Sequence, residues 1–275
     1  MSGSIRAEWL KVWRRPATWV LGGILCCAVF SLGYAFVWLS AIIVEQTPSS
    51  ASLPDPAGLA EEVRAGLIPA QFLGATLGLF GSLGGAIAII LGAQALGGEY
   101  GWGTLKTIFT QGPPRVAIVV GKAVSLAAVL LCFTLGSLAT GLIGSLIFAT
   151  IDGGSLALPG ADRMLAAVGA GWLMLATWTA LGLALAALFR GTAMAIGVGL
   201  VYVLVIESVL GGITLFVEPL QFLERIFVGT NSGALAAAFG TPGRIPAIEA
   251  AAVLCGYTAV FLVVTGWVVR RRDVG

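Results

Sequence analysis

Six long apolar stretches separated by shorter polar ones set the rhythm of the chain: Thr18–Val44, Gln71–Leu96, Val116–Ala149, Met164–Phe189, Ala193–Leu210 and Ala247–Val269. A hydrocarbon layer about 30 Å thick asks for roughly 20 apolar residues in a helix, and each stretch approaches or exceeds that. They are too long for β-barrel strands, which alternate over about 10 residues. The pattern predicts an all-α integral membrane protein: a single transmembrane domain over residues 1–275 with six transmembrane helices.

The polar stretches carry their own patterns. Residues 1–16 hold Ile5, Trp9, Val12 and Trp13 at the spacing of one helical face, with Arg6, Lys11, Arg14 and Arg15 around the rest. This predicts an amphipathic helix in the membrane interface, with tryptophans at headgroup level; the alternative is a solvated basic tail. Pro16 ends it, and the apolar run that follows is too long for a cleaved signal peptide. Glu45–Ala70 reads as a loop with one short helix over about Ala57–Ala65. In the second span Gly74, Gly78, Gly81, Gly85, Ala88 and Gly92 recur in steps of four and three, predicting one small-residue seam for close helix packing. Lys122 is expected to snorkel from the inner end of the third span. Phe216–Pro246 reads as an outer re-entrant segment of two short pieces, Glu218–Val228 and Gly233–Phe239, separated by Gly229-Thr230-Asn231-Ser232.

The stretch Gly98–Arg115 is the one long polar interruption on the positively charged side of the chain. Gly101 and Gly103 permit a sharp turn, Thr104 can cap a short helix from Leu105 to Thr110, and Gly112-Pro113-Pro114 stops it. Leu105, Ile108 and Phe109 on such a helix would dock into a groove on a partner or rest on headgroups.

Composition and charge refine this picture. Hydrophobic residues make up 58% of the chain and charged ones 10%, against about 25% charged in soluble domains. With both termini cytoplasmic, the inner segments hold Arg6, Lys11, Arg14, Arg15, Lys106, Arg115, Lys122, Arg190, Arg270, Arg271 and Arg272, leaving Arg64, Arg163, Arg225 and Arg244 outside. The positive-inside rule favours that orientation. Histidine is absent, and the four cysteines lie in apolar runs without Cys-x-x-Cys spacing, so no metal or redox site is expected. The single Gly-Lys pair, Gly121-Lys122, has Val116 and Ala123 where a phosphate-binding loop needs Gly and Ser/Thr. No catalytic constellation is present, so neither enzyme activity nor a cofactor is expected of this chain. Glu207 is a candidate intramembrane acid; alternatively the fifth helix has already reached the outer interface there.

An N-terminal helix rich in Trp, Arg and Lys, then Gly98-Glu99-Tyr100 and Gly103-Thr104-Leu105-Lys106-Thr107, then Pro113-Pro114-Arg115 and Gly121-Lys122, and a closing Arg270-Arg271-Arg272-Asp273-Val274, together resemble the ABC-2 type permease family of bacterial ABC exporters. The topology matches over the whole chain, the specific motif only over about Gly98–Lys122, and Gln111-Gly112 departs from the usual pattern. The resemblance implies an elbow helix at Ser4–Arg15 carrying Trp9, Trp13, Arg14 and Arg15. It also implies an ATPase-coupling segment over 99–115 with the coupling helix at Trp102–Thr110, involving Glu99, Trp102, Thr104, Leu105, Lys106, Ile108, Phe109 and Arg115. It further implies a dimeric export pathway in the bacterial cytoplasmic membrane, homodimeric or formed with a paralogue, and driven by two copies of a separate subunit that binds ATP and Mg. Nucleic acid is not an expected partner. Two other readings stand beside it: a stand-alone secondary transporter or channel using Glu207, although no inverted repeat or matched pair of broken helices is visible, and a non-transporting anchor or sensor subunit. Trp172, Trp178 and Tyr202 suggest an apolar cavity suited to a hydrophobic or amphipathic substrate, and packing explains them equally well.

Overall fold

The computed structural model describes residues 2–49, 55–101, 115–209, 212, 225–241 and 243–271, with only the backbone of 2–7 and 115–117. These residues contain helices and no strand. Helix α1 (Ser2–Arg14) precedes the spans α2 (Pro16–Glu45), α4 (Pro69–Gly101), α5 (Arg115–Ile151), α6 (Ala161–Phe189), α7 (Thr192–Val209) and α9 (Ala247–Arg271). Short helices α3 (Pro56–Ala65) and α8 (Val228–Ala237) lie in the connections after α2 and α7. The six apolar helices expected from the sequence are therefore present.

Local chemistry sets the boundaries. Arg15 is extended (φ −76°, ψ 119°) ahead of Pro16, which opens α2, because the proline ring disfavours helical backbone in the residue before it and suits the first helical position. Asp55 opens α3 by accepting the Gly58 N–H at 2.9 Å, a side-chain cap for one of the orphan donors of a helix start. Arg190 closes α6 in the left-handed region (φ 54°), and Gly191 then leads into α7. Single wide turns interrupt α2 at Ser31–Ala35, α4 at Phe80–Gly84 and α7 at Tyr202–Ile206.

The bundle is built around α4 and α6, whose mutual contact is the most extensive; α9, α7 and α5 also pack on α6, while α2 lies against α5. Lipid tails are as apolar as leucine, so these helices associate through close packing and interhelical hydrogen bonds. A Cβ at Gly92 would run into the Thr179 carbonyl, and one at Gly182 into the Ile89 carbonyl. Across other pairs, Trp172 Nε1 donates to the Ala127 carbonyl at 2.7 Å, and the Thr177 hydroxyl lies 2.9 Å from that of Thr258. The Tyr34 hydroxyl reaches the Phe72 carbonyl at 3.3 Å.

Three expectations need correction. The glycine seam of the second span does not run along one face: Gly85 and Gly92 meet α6 at Trp178 and Thr179, Gly74 faces Phe239 and Gly240, and Gly81 lies against α8, while Gly78 faces open space. The wide turn at Phe80–Gly84 puts an extra residue into the helix and throws the steps of four and three out of register. Second, α4 continues past Leu96 to Gly101, so Gly101 is helical and Glu99 stands in the last turn of the span. Third, Gly229-Thr230-Asn231-Ser232 is not a break between short pieces but lies inside α8. The Glu207 carboxylate accepts the Gly229 N–H at 2.9 Å, and the Asn231 side chain donates to the Phe227 carbonyl at 2.7 Å, which together supply the missing start signal.

Candidate functional site

The N-terminal helix is amphipathic, but not in the sense read from its tryptophans. Trp9 and Trp13 are exposed, while Glu8 and Val12 turn inward onto α5. The two indoles stack with centroids 5.2 Å apart. Trp19, just past the Pro16 corner, meets Trp13 edge-on at 4.7 Å and donates from Nε1 to the Trp13 carbonyl at 2.8 Å. An aromatic knot with apolar bodies and one polar edge suits a membrane boundary. Arg14 is exposed, and the Arg15 guanidinium reaches the Gln94 carbonyl of α4 at 3.4 Å.

Beneath that helix lies an ion cluster that joins three elements. Lys122 Nζ, on α5, donates to Glu8 Oε2 of α1 at 2.8 Å and to Glu99 Oε1 of α4 at 2.7 Å. Lys11 Nζ closes the ring, donating to Glu8 Oε1 at 2.8 Å and Glu99 Oε1 at 3.2 Å. The Glu8, Glu99 and Lys122 side chains are only 5%, 4% and 3% exposed, and Lys11 is 39% exposed at the rim. Lys122 therefore does not snorkel: its ammonium is drawn inward because two carboxylates wait there.

Two positive and two negative charges balance within one contact sphere, which is the condition under which buried ions are tolerated. Burial alone would push the Glu8 carboxyl up, but the field of Lys122 and the hydrogen bonds from Lys11 and Lys122 outweigh it and hold the group below its ordinary 4.5. Burial likewise disfavours the Lys11 ammonium, and Glu8 and Glu99 overcome that, raising it above 10.5. Both shifts favour the charged forms of Glu8 and Lys11.

The cluster sits at both ends of the connection between α4 and α5. Glu99 is in the last turn of α4, and Lys122 is in the second turn of α5. Of the residues singled out there in the sequence, Trp102, Thr104, Leu105, Lys106, Ile108 and Phe109 lie outside the described residues; Arg115 opens α5 with its backbone alone described. Glu8 was missed. Its signal was a single acid among the cations of an amphipathic helix, and Lys122 was a single cation in an apolar span; intramembrane charges call for named partners of opposite sign.

Away from the cluster, Glu207 is half-buried and spends its carboxylate on the N-terminus of α8, where backbone N–H groups and the helix dipole favour an anion. At that same end of the bundle Arg64 of α3 pairs with Glu45 and approaches Asp152 at 4.0 Å, and Trp38 Nε1 donates to Asp152 at 3.2 Å. An apolar cavity of about 250 Å³ opens between α5, α6 and α9, with Trp172 in its lining. Trp178 and Tyr202 do not line it; they pack on each other at 6.0 Å, with Trp178 fully buried.

Comparison with known proteins agrees with the architecture. The model of one family, described as ABC-2 family transporter protein, matches residues 5–274. A search of curated proteins finds no match.

Proposed function

This chain belongs to the ABC-2 family of transporter proteins and is a multi-pass membrane permease; on that premise we propose that it forms, as a dimer, the substrate pathway of an exporter in the bacterial cytoplasmic membrane. The work comes from a separate subunit, present in two copies, that binds ATP and Mg, and enters through residues 99–115. With the α1 end of the bundle cytoplasmic, the excess of cations falls inside, as the positive-inside rule asks.

The observation that carries the mechanism is the ion cluster. The residues that bracket the connection, Glu99 and Lys122, are both bonded to Glu8 of α1 or to its neighbour Lys11. Displacement of the connection by an ATP-binding partner is then passed through rigid, charge-assisted bonds to α1 at the membrane boundary. In this reading Leu105 and Phe109 dock on the partner, and Glu8, Lys11, Glu99 and Lys122 act as the clamp that makes α1 follow. Close packing of α4 on α6 makes those two helices a single body that tilts with them.

The test uses the chain co-purified with its ATP-hydrolysing partner. Leu105→Glu with Phe109→Glu is expected to abolish complex formation and the dependence of ATP hydrolysis on the permease. Unchanged complex formation and unchanged hydrolysis would remove the docking role. Glu207, by capping α8, has a structural task in this mechanism.

A further inference from the structure

A second feature, where α5 faces α6 and α9, goes beyond the transport reading and does not depend on it. The 250 Å³ cavity between α5, α6 and α9 does not end at its walls. A groove of about 550 Å³ along α5 and α9 shares Ala123, Val124 and Leu262 with it and runs on toward Trp267 and Arg270. From Thr258 in the cavity to Arg270 at the groove's far end is about 18 Å along α9 at roughly 1.5 Å per residue. That is close to the half-thickness of about 15 Å that one leaflet gives a lipid chain in a hydrocarbon core of about 30 Å.

The chemistry is graded along that length. The deep end is walled by Leu126, Leu130, Ala176 and Leu183. The middle is widened by small residues: a Cβ on Gly266 would meet no atom within 4 Å. At the mouth stand Arg270 and, one residue on, Arg271, whose guanidinium lies 4.9 Å over the exposed Trp267 ring. Aromatic rings and cations at a helix end are where headgroups sit, and two arginines select a negative one. Trp172, in the wall of the cavity, ties α6 to α5 through its bond to Ala127.

We propose that this groove is a binding site for one anionic phospholipid, with an acyl chain running through the groove into the cavity and the phosphate headgroup held by Arg270 and Arg271. It is a resident site, distinct from the lipid that coats the remaining outer surface.

The experiment is native mass spectrometry of the full chain released from vesicles of phosphatidylglycerol and phosphatidylcholine in equal amounts. The parent is expected to keep one phosphatidylglycerol per chain through delipidation. Gly266→Phe, which points a ring into open groove, should lose that lipid, and Ala123→Leu should do so from the α5 side. Arg270→Gln should lower the preference for phosphatidylglycerol about fivefold, and the double change with Arg271→Gln roughly thirtyfold, at about 1 kcal/mol per cation near an anionic headgroup. Loss of all retained lipid in the two groove variants, with preserved circular dichroism, supports the site. Three results overturn it: retention unaffected by filling the groove, equal retention of the two lipids by the parent, or a dimer mass in which a second copy excludes lipid from this face.

Discussion

Replacing Lys122 by Met probes the clamp most sharply, because Met keeps roughly the bulk of the side chain while removing its charge and its bonds to Glu8 and Glu99. In the parent the Glu8, Glu99, Lys11 and Lys122 charges sum to zero in a largely buried volume. The substitution leaves two carboxylates, each about 5% exposed or less, facing a single lysine at the rim. Breaking a buried ion pair by removing one partner costs about 3–5 kcal/mol, most of it the stranded charge. For a domain near this size that corresponds to a fall in Tm on the order of 10 °C. Thermal unfolding in detergent should show it, and the deficit should shrink when Glu99→Gln is added, since the double variant restores neutrality. The cycle of single and double variants isolates a coupling energy of about 1–3 kcal/mol. A Lys122→Met protein as stable as the parent, or single effects that simply add, would refute the idea of a mutually dependent cluster.

The pH dependence of the same cluster has two edges. Glu8 is held below 4.5 and so contributes stability that is present above that value and is lost as pH falls through its folded value. Lys11 is raised above 10.5, so its contribution is present below 10.5 and is lost as pH rises through the folded value. Hydrogen exchange in α1 should therefore be slow between about pH 4.5 and 10.5, after correction for the intrinsic rate, and accelerate in acid. At the α4–α6 contact, Gly182→Val should destabilise by about 1–3 kcal/mol or more as its branches meet the Ile89 carbonyl, whereas Gly78→Ala, where nothing lies within 4 Å, should be neutral or slightly stabilising in a melt. Glu207→Ala should cost about 0.5–2 kcal/mol locally by removing the cap of α8, seen as faster exchange of the Gly229 amide, while Glu207→Gln keeps an acceptor oxygen and should cost less.

How much of this could be read from the chain follows a physical divide. Span number, the short helix α3 and the helical N-terminus were legible because each rests on local signals: apolar length, Pro56 behind Asp55, and amphipathic spacing. The positions of α8 and of the α4 terminus were not, since the first depends on a carboxylate 22 residues away and the second on partners that α1 and α5 bring to Glu99. The glycine seam shows the limit of periodicity: its regular steps assume an uninterrupted helix, and the wide turn at Phe80–Gly84 falls where the neighbours change, Gly74 and Gly81 meeting α8 and the residues after it, Gly85 and Gly92 meeting α6. In the candidate site, Glu99 was singled out while Glu8 and the buried state of Lys122 were not. Charge pairs between segments some 90 to 110 positions apart carry no spacing pattern.

The proposed mechanism requires α1 to move with the connection between α4 and α5. Spin labels placed at Trp9→Cys and Lys106→Cys, in a protein whose four native cysteines are replaced, report the distance between them by pulsed electron resonance in the complex with its ATP-binding partner. Trapping that partner in its nucleotide-closed state should leave this distance unchanged while the distance between the two α1 helices of the dimer shifts, and Lys122→Met should broaden the first distance. A 9-to-106 distance that changes on trapping while α1 stays in place would contradict the clamp.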